Sequence, residues 1–300
     1  MVIDLSRLST EEMNPRTTNL DMMTPRELVG VMNAEDAHVQ EAVGEELDHI
    51  ARAVEWAIES LRAGGRIIYF GAGTSGRLGA LDAVECPPTF GVEPERVVGL
   101  IAGGEKAFVR AVEGAEDSTE LCARELDELG LESRDLAIGI AASGRTPYVV
   151  GGLRHARELG CKTVAIACNR GSAIAREAQL AIELDCGPEV LTGSTRLKAG
   201  TAQKMVLNMI STGAMVGVGK AYQNLMVDVQ QTNDKLHVRA QNIVIEATGC
   251  SRDEAVCALE KSDGSAKVAI VMLLAGVSAE QARERLEASG GKVRGAVAGA

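Results

Sequence analysis

Two glutamates set between hydroxyl-bearing loops carry the chemistry that is readable in this chain. Glu85 stands in Glu85-Cys86-Pro87-Pro88, and Glu116 in Gly114-Ala115-Glu116-Asp117. Flanking them are two loops that each contain Ser-Gly-Arg: Gly71-Ala72-Gly73-Thr74-Ser75-Gly76-Arg77 and Ala141-Ala142-Ser143-Gly144-Arg145-Thr146-Pro147. Thr74, Ser75, Ser143 and Thr146 offer hydroxyls to a ligand rich in oxygen acceptors. A loop that opens a helix also presents unpaired N–H groups and the positive end of the helix dipole, which favour an anion. An anion cradle with isolated carboxylates nearby suggests acid–base chemistry on a phosphorylated sugar.

The elements that position these residues alternate. Apolar runs at Arg66–Phe70, Val97–Ala102, Leu136–Ala141, Thr163–Ala167 and Leu180–Leu184 read as strands. Helical patterns lie between them at Arg77–Val84, Ala107–Val112, Ser118–Leu129, Pro147–Leu159 and Ala173–Ala178. Continuous apolar strands separated by helices predict an α/β fold, a parallel sheet covered on both faces. Its ligand crevice is expected at the carboxyl ends of the strands. Ahead of the sheet, Thr24-Pro25-Arg26-Glu27 reads as a capped helix start, and one long amphipathic helix is expected from Ala34 to Arg62. Beyond it, helices are expected over Gly200–Lys220 and Gln223–Thr248, and then three short helical patterns with a disordered end. The predicted organisation is an irregular arm over residues 1–23, a main domain over 24–248 and a small three-helix appendage over 249–300.

Other readings of the same residues stand beside this one. Gly71-Ala72-Gly73-Thr74-Ser75-Gly76 matches the dinucleotide fingerprint, but that fingerprint wants an acidic residue ending the second strand. Here Glu105 falls late, beyond Gly103-Gly104. Ser75 and Ser143 also suit plain helix capping. Arg77 and Arg145 suit either phosphate contact or surface salt bridges. Glu116 can serve as a favourable charge near a helix start, and Glu85 as a partly exposed residue where two prolines end a helix.

Composition narrows the partners. The 300 residues carry a net charge of -11 and only 2% aromatics, which argues against nucleic acid and anionic membrane surfaces. The longest clean apolar run, Val268 to Val277, is too short to span a bilayer, and residues 1–12 show no secretory signal. Seven cysteines, never spaced C-x-x-C, read as reduced thiols in a cytoplasmic protein rather than a disulfide or metal framework.

With these residues in view, the chain resembles the N-acetylmuramic acid 6-phosphate etherases of the sugar isomerase (SIS) superfamily. The likeness runs through Asn14-Pro15-Arg16-Thr17, both Ser-Gly-Arg loops, Glu85-Cys86-Pro87-Pro88-Thr89 and Glu113-Gly114-Ala115-Glu116-Asp117. It continues in Thr192-Gly193-Ser194-Thr195-Arg196-Leu197-Lys198 and Asn233-Asp234-Lys235-Leu236-His237. The resemblance implies an SIS-type sheet, a homodimer, no metal or organic cofactor, and a role in recycling cell-wall sugars. It implies cleavage of the D-lactyl ether of N-acetylmuramic acid 6-phosphate by elimination and hydration. On this likeness Glu85 is the proton donor to the leaving ether oxygen and Glu116 the base at C2. Thr74, Ser75, Ser143, Thr146 and Ser194 are expected to hold the substrate. His237, or alternatively Lys235, is a candidate for opening the sugar ring; a helix-surface or dimer-contact role is the competing reading for both.

Overall fold

A computed structural model describes residues 8–110, 112–229 and 234–299. Residues 1–7 of the expected arm, Ala111 in the helix expected to Val112, residues 230–232, Asn233 and Ala300 of the expected disordered end lie outside the described residues. Contacts divide the chain into two compact units: residues 1–84 with 95–211, and residues 85–94 with 212–300.

The first unit begins with helix α1, Pro25–Glu45, opened by a full capping box. Thr24 accepts the Glu27 N–H while Glu27 accepts the Thr24 N–H. The single helix expected over Ala34–Arg62 is in fact two, because α1 ends at Glu45 and α2 covers Leu47–Arg62. At Glu46 (φ -103, ψ 9) the N–H turns back to the Val43 carbonyl. This tight closure redirects the chain at a glutamate, while Gly44, two residues earlier, stays inside α1.

The sheet follows. Strands β1 (Ile67–Gly71), β2 (Val97–Ile101), β3 (Leu136–Ala141), β4 (Lys162–Ala167) and β5 (Leu180–Glu183) are parallel throughout, in the order β2-β1-β3-β4-β5. Between them run α3 (Gly73–Phe90), α4 (Lys106–Val109), α5 (Leu121–Glu128), α6 (Pro147–Glu158) and α7 (Ala173–Glu177). The central strands are apolar on both faces because both are covered. Ile68 and Phe70 join Tyr148, Val149 and Leu153 of α6 in one core, and Tyr69, on the opposite pleat, meets α3 at Gly79. Helix α3 continues through Pro87 and Pro88 to Phe90, past the stop that the prolines predict. Proline's fixed φ suits a helix, but its missing N–H and the clash of its ring with the preceding turn oppose one, and α3 ends two residues after Pro88.

The second unit opens with the end of α3 and takes up the chain again within α8 (Lys198–Gly217). The helix expected from Gln223 is replaced at its start by a small hairpin, β6 (Ala221–Tyr222) and β7 (Leu225–Met226). Gln223 has φ 54, and the Gln223-Asn224 loop turns the chain as two-residue hairpins do. Helix α9 covers Asp234–Thr248 and packs on α10 (Arg252–Lys261) and α11 (Ala266–Ala275), and α11 packs in turn on α12 (Ala279–Ala288) and α13 (Val293–Ala298). Four helices therefore follow residue 249, not three. Val293 and Ala296 bury α13 in the core of Val244, Ala255, Ala269 and Ile270, where disorder was expected. The capping serines read from the sequence, Ser251 and Ser278, do open α10 and α12. Among the described residues, no helix is long and apolar enough to cross a membrane.

Candidate functional site

The strand order reverses at β1, since β2 lies to one side and β3 to the other. That is the switch point at which an open parallel sheet leaves a crevice beyond its carboxyl ends. Gly71 ends β1 opposite Ile140 of β3, so the two Ser-Gly-Arg loops leave adjacent strands and flank one crevice.

The first loop turns directly into α3. A Cβ built on Gly76 would lie 2.4 Å from the Gly71 carbonyl oxygen, so only glycine lets helix and strand end approach this closely. Ser75 is 5% exposed and does not cap. Its hydroxyl donates to Gln203 Oε1 of α8 at 2.9 Å. Thr74 is half-buried, and a Cβ on Gly200 of α8 would lie 3.5 Å from its methyl carbon. Arg77 donates to the carbonyls of Phe108 (2.8 Å) and Ala107 (2.7 Å). Through these bonds it braces the α4 segment.

The second loop stays outside its helix. Gly144 adopts φ 69, and a Cβ there would meet the Ser172 Cβ at 2.3 Å. Ser143 Oγ accepts the Arg145 N–H at 3.4 Å, so it closes its own turn rather than capping α6. Thr146 occupies the N-cap position with Pro147 at N1, and its hydroxyl makes no capping bond. Glu116 is fixed beside this loop, because its carbonyl accepts the Tyr148 N–H at 3.0 Å. Its side chain is exposed. The helix expected near Ser118 starts at Leu121, whose N–H donates to Ser118 Oγ at 3.1 Å. Glu116 is thereby too far from that helix start for a dipole role.

Ser194 is half-buried in the turn that precedes α8. The start of α8 is held by groups the sequence reading passed over. Glu189 accepts the N–H groups of Lys198 (3.0 Å) and Ala199 (2.9 Å). Lys198, 1% exposed, donates to Glu35 at 2.8 Å, and Glu35 is also met by Asn14 at 2.8 Å and Arg16 at 3.0 Å. Burial opposes the Glu35 charge, yet these donors hold its carboxyl below the usual range. Glu189 is pushed up by burial, against the lowering effect of its two backbone donors and Lys198. Two turns further along the α3–α8 contact, buried Asp82 accepts from Ser211 at 3.2 Å. Burial raises its pKa, while Ser211, Tyr69 and Lys204 pull it down.

The sequence reading missed Gln203, Glu189 and the Glu35–Lys198 pair. The one local signal was an amide among small and apolar residues in Ala199–Ile210. Of the predicted site, the first unit gathers Thr74, Ser75, Ser143, Thr146 and Glu116 around one switch point. Glu85, exposed on α3, belongs to the second unit, as do Lys235 and His237 near the start of α9. There His237 lines a cavity of about 500 Å³ with Lys220, Asp228, Asp263 and Ser265. Among the described residues no cysteine is in a disulfide, and Cys86 is buried. Burial pushes the Cys186 thiol up to about 12, far from the range of a nucleophile. Among the described residues, no three His, Cys, Asp or Glu side chains cluster as a metal-ligand set.

The chain is similar to several known proteins. The glucokinase regulatory protein N-terminal SIS domain matches residues 49–157, and the SIS domain matches residues 124–212. A phosphoheptose isomerase from Neisseria gonorrhoeae is similar in structure, with 19% identity over 64% of this chain and 98% of that one (TM-score 0.49). An N-acetylmuramic acid 6-phosphate etherase of Mycolicibacterium smegmatis is 60% identical over 98% of this chain and 99% of its own length. One from a Geobacillus species is 58% identical over 98% and 99%. Another, from Pectobacterium atrosepticum, is 58% identical over 99% and 98%. Identity at this level over nearly the whole length means that the chain belongs to the N-acetylmuramic acid 6-phosphate etherase family.

Proposed function

We propose that this protein cleaves the D-lactyl ether at C3 of N-acetylmuramic acid 6-phosphate, giving N-acetylglucosamine 6-phosphate and D-lactate. The observation that carries the reading is 58% to 60% identity to etherases over nearly the whole chain. An unactivated ether resists direct hydrolysis. Ring opening exposes an aldehyde at C1, which acidifies the C2 proton. Glu116 removes that proton, Glu85 protonates the ether oxygen, and the C3–O bond breaks to release lactate. Water then adds at C3 of the unsaturated aldehyde, with the two carboxyl groups acting in reverse. The scheme needs one carboxyl protonated and one ionised, a division that local environment can impose.

Thr74, Ser75, Ser143, Thr146 and Ser194 hold phosphate and sugar in this reading, and His237 or Lys235 opens the ring. The position of Glu116 beside the second loop supports its role; Glu85 rests on family membership. A cytoplasmic homodimer acting in cell-wall sugar recycling completes the proposal. Turnover in heavy-oxygen water tests it: label should enter the sugar at C3, and label in lactate would refute the elimination. Glu116→Gln should abolish exchange of the C2 proton with solvent while substrate still binds. Surviving exchange would remove Glu116 from the role of base. The match to the glucokinase regulatory protein N-terminal SIS domain supports a second reading, a phosphosugar-binding regulator. Absence of any lactate release would favour it.

A further inference from the structure

Gln203 is bonded to a proposed phosphate-binding hydroxyl, and the reaction scheme leaves it without a task. It is 0% exposed, and its Oε1 accepts the Ser75 hydroxyl proton at 2.9 Å. Its Nε2 is buried with no hydrogen-bond partner among the described residues. A buried amide nitrogen left unpaired is costly and calls for an explanation. The same contact also poses a conflict. A hydroxyl has one proton, and a phosphate ester accepts hydrogen bonds. While Ser75 donates to Gln203, it has nothing to donate to phosphate.

Turning the amide by half a revolution resolves the conflict. Nε2 then donates to Ser75 Oγ, and the Ser75 proton is freed for an anion in the crevice. The buried –NH₂ gains its partner in the same movement, and Oε1, an acceptor with no proton to place, takes the unpartnered position. The two amide orientations fill the same volume, so packing does not choose between them. A hydrogen-bond chain ending on a charged acceptor polarises along its length, which favours the turned form once phosphate is present. We propose that Gln203 is a positioning residue for the phosphate: its side-chain amide turns on ligand binding and makes Ser75 a donor to the phosphoryl group. The proposal rests on reading Ser75 as a phosphate contact.

Two near-isosteric variants separate the roles. Gln203→Glu keeps only acceptors, so it holds the Ser75 proton and adds a negative charge behind the cradle. Gln203→Met removes the bond and leaves Ser75 to rotate. Binding of N-acetylglucosamine 6-phosphate and of N-acetylglucosamine is measured by calorimetry on wild type, Ser75→Ala and both variants, with lactate release from N-acetylmuramic acid 6-phosphate assayed in parallel. Gln203→Glu should weaken the phosphorylated sugar roughly 30-fold or more and Gln203→Met about 3- to 10-fold. Neither should alter the unphosphorylated sugar, and KM should rise with kcat held within about threefold. The Gln203→Glu defect relative to wild type should shrink as pH falls towards 5, because a protonated carboxyl regains a donor. On the unaltered protein, N-acetylglucosamine 6-phosphate should shift the Gln203 side-chain amide resonances and slow their exchange with solvent. If Ser75→Ala weakens phosphosugar binding while Gln203→Glu does not, or if the amide resonances stay unmoved in the complex, the proposal is overturned. If Ser75→Ala binds like wild type, the phosphate role of Ser75 falls and the proposal with it. Phosphosugar binding without lactate release would end the etherase reading and leave the role of Gln203 standing.

Discussion

The two Ser-Gly-Arg loops share a tripeptide and a strand end, yet they solve the same placement differently. In the first, all three residues are inside α3: Ser75 faces α8 and Arg77 ties down α4. In the second, the tripeptide precedes α6, Gly144 turns the chain with φ 69, and Ser143 serves its own turn. The first loop is wired to distant elements, and the second is a local turn that Pro147 converts into a helix. Identical tripeptides therefore do not imply identical jobs. What surrounds them decides whether a serine is a spoke or a hinge.

The largest effects expected from breaking this contrast are at the glycines. Gly76→Ala drives a Cβ against the Gly71 backbone, and a loss of about 3–5 kcal/mol in chemical denaturation is expected. Gly144→Ala should cost about 2–3 kcal/mol, because its clash is with the Ser172 side chain and its φ is unfavourable. Adding Ser172→Gly should recover part of the second loss and none of the first. Equal recovery would mean that the two loops are constrained alike. Next comes the serine pair. Ser75→Ala leaves both polar ends of a buried amide unpaired and should cost about 1–3 kcal/mol, whereas Ser143→Ala should stay within about 0.5 kcal/mol. A reversed ranking would contradict the wired-versus-local distinction. Arg77→Ala should cost about 1–2 kcal/mol through its two carbonyl bonds and should raise hydrogen exchange in Lys106–Val109. Unchanged exchange there would show that Arg77 braces nothing.

The smallest effect concerns Asp82, the second polar rung behind the first loop. Burial holds its carboxyl above the usual aspartate value. The folded state therefore binds the proton more tightly than the unfolded state. Its ionisation costs stability as pH rises above the unfolded value, and stability recovers as pH falls through the raised one. Asp82→Asn should flatten that slope above about pH 4. An unaltered pH–stability profile would show that the group does not contribute.

The contrast also explains what the sequence could disclose. Thr24 with Glu27, Ser251 with Glu254 and Ser278 with Gln281 were readable because capping is decided within four residues. The five strands were readable from their apolar runs, with ends shifted by a residue or so. Three features depended on tertiary context. The Glu46 break falls at a glutamate while the nearby Gly44 stays helical, α3 overrides two prolines, and the hairpin at Gln223 interrupts a helical pattern. At the site, the hydroxyls of the two loops stood out because they sit next to strand ends. Gln203 and Lys198 did not, because each acts on a residue more than a hundred positions away.

That separation has a consequence for the making of the protein. Glu35 finds Lys198 across 163 residues of sequence. At a synthesis rate of about 5–20 residues per second, the anchor is translated roughly 10–30 s after the carboxylate it will bind. Through that interval α1 can form from its own capping box, but Asn14 and Arg16 have only a hydrated Glu35 to meet, and the start of α8 does not yet exist. The arm is expected to be among the last parts of the first unit to lock, so a nascent chain arrested before residue 198 should expose residues 8–23 to protease while α1 is already helical.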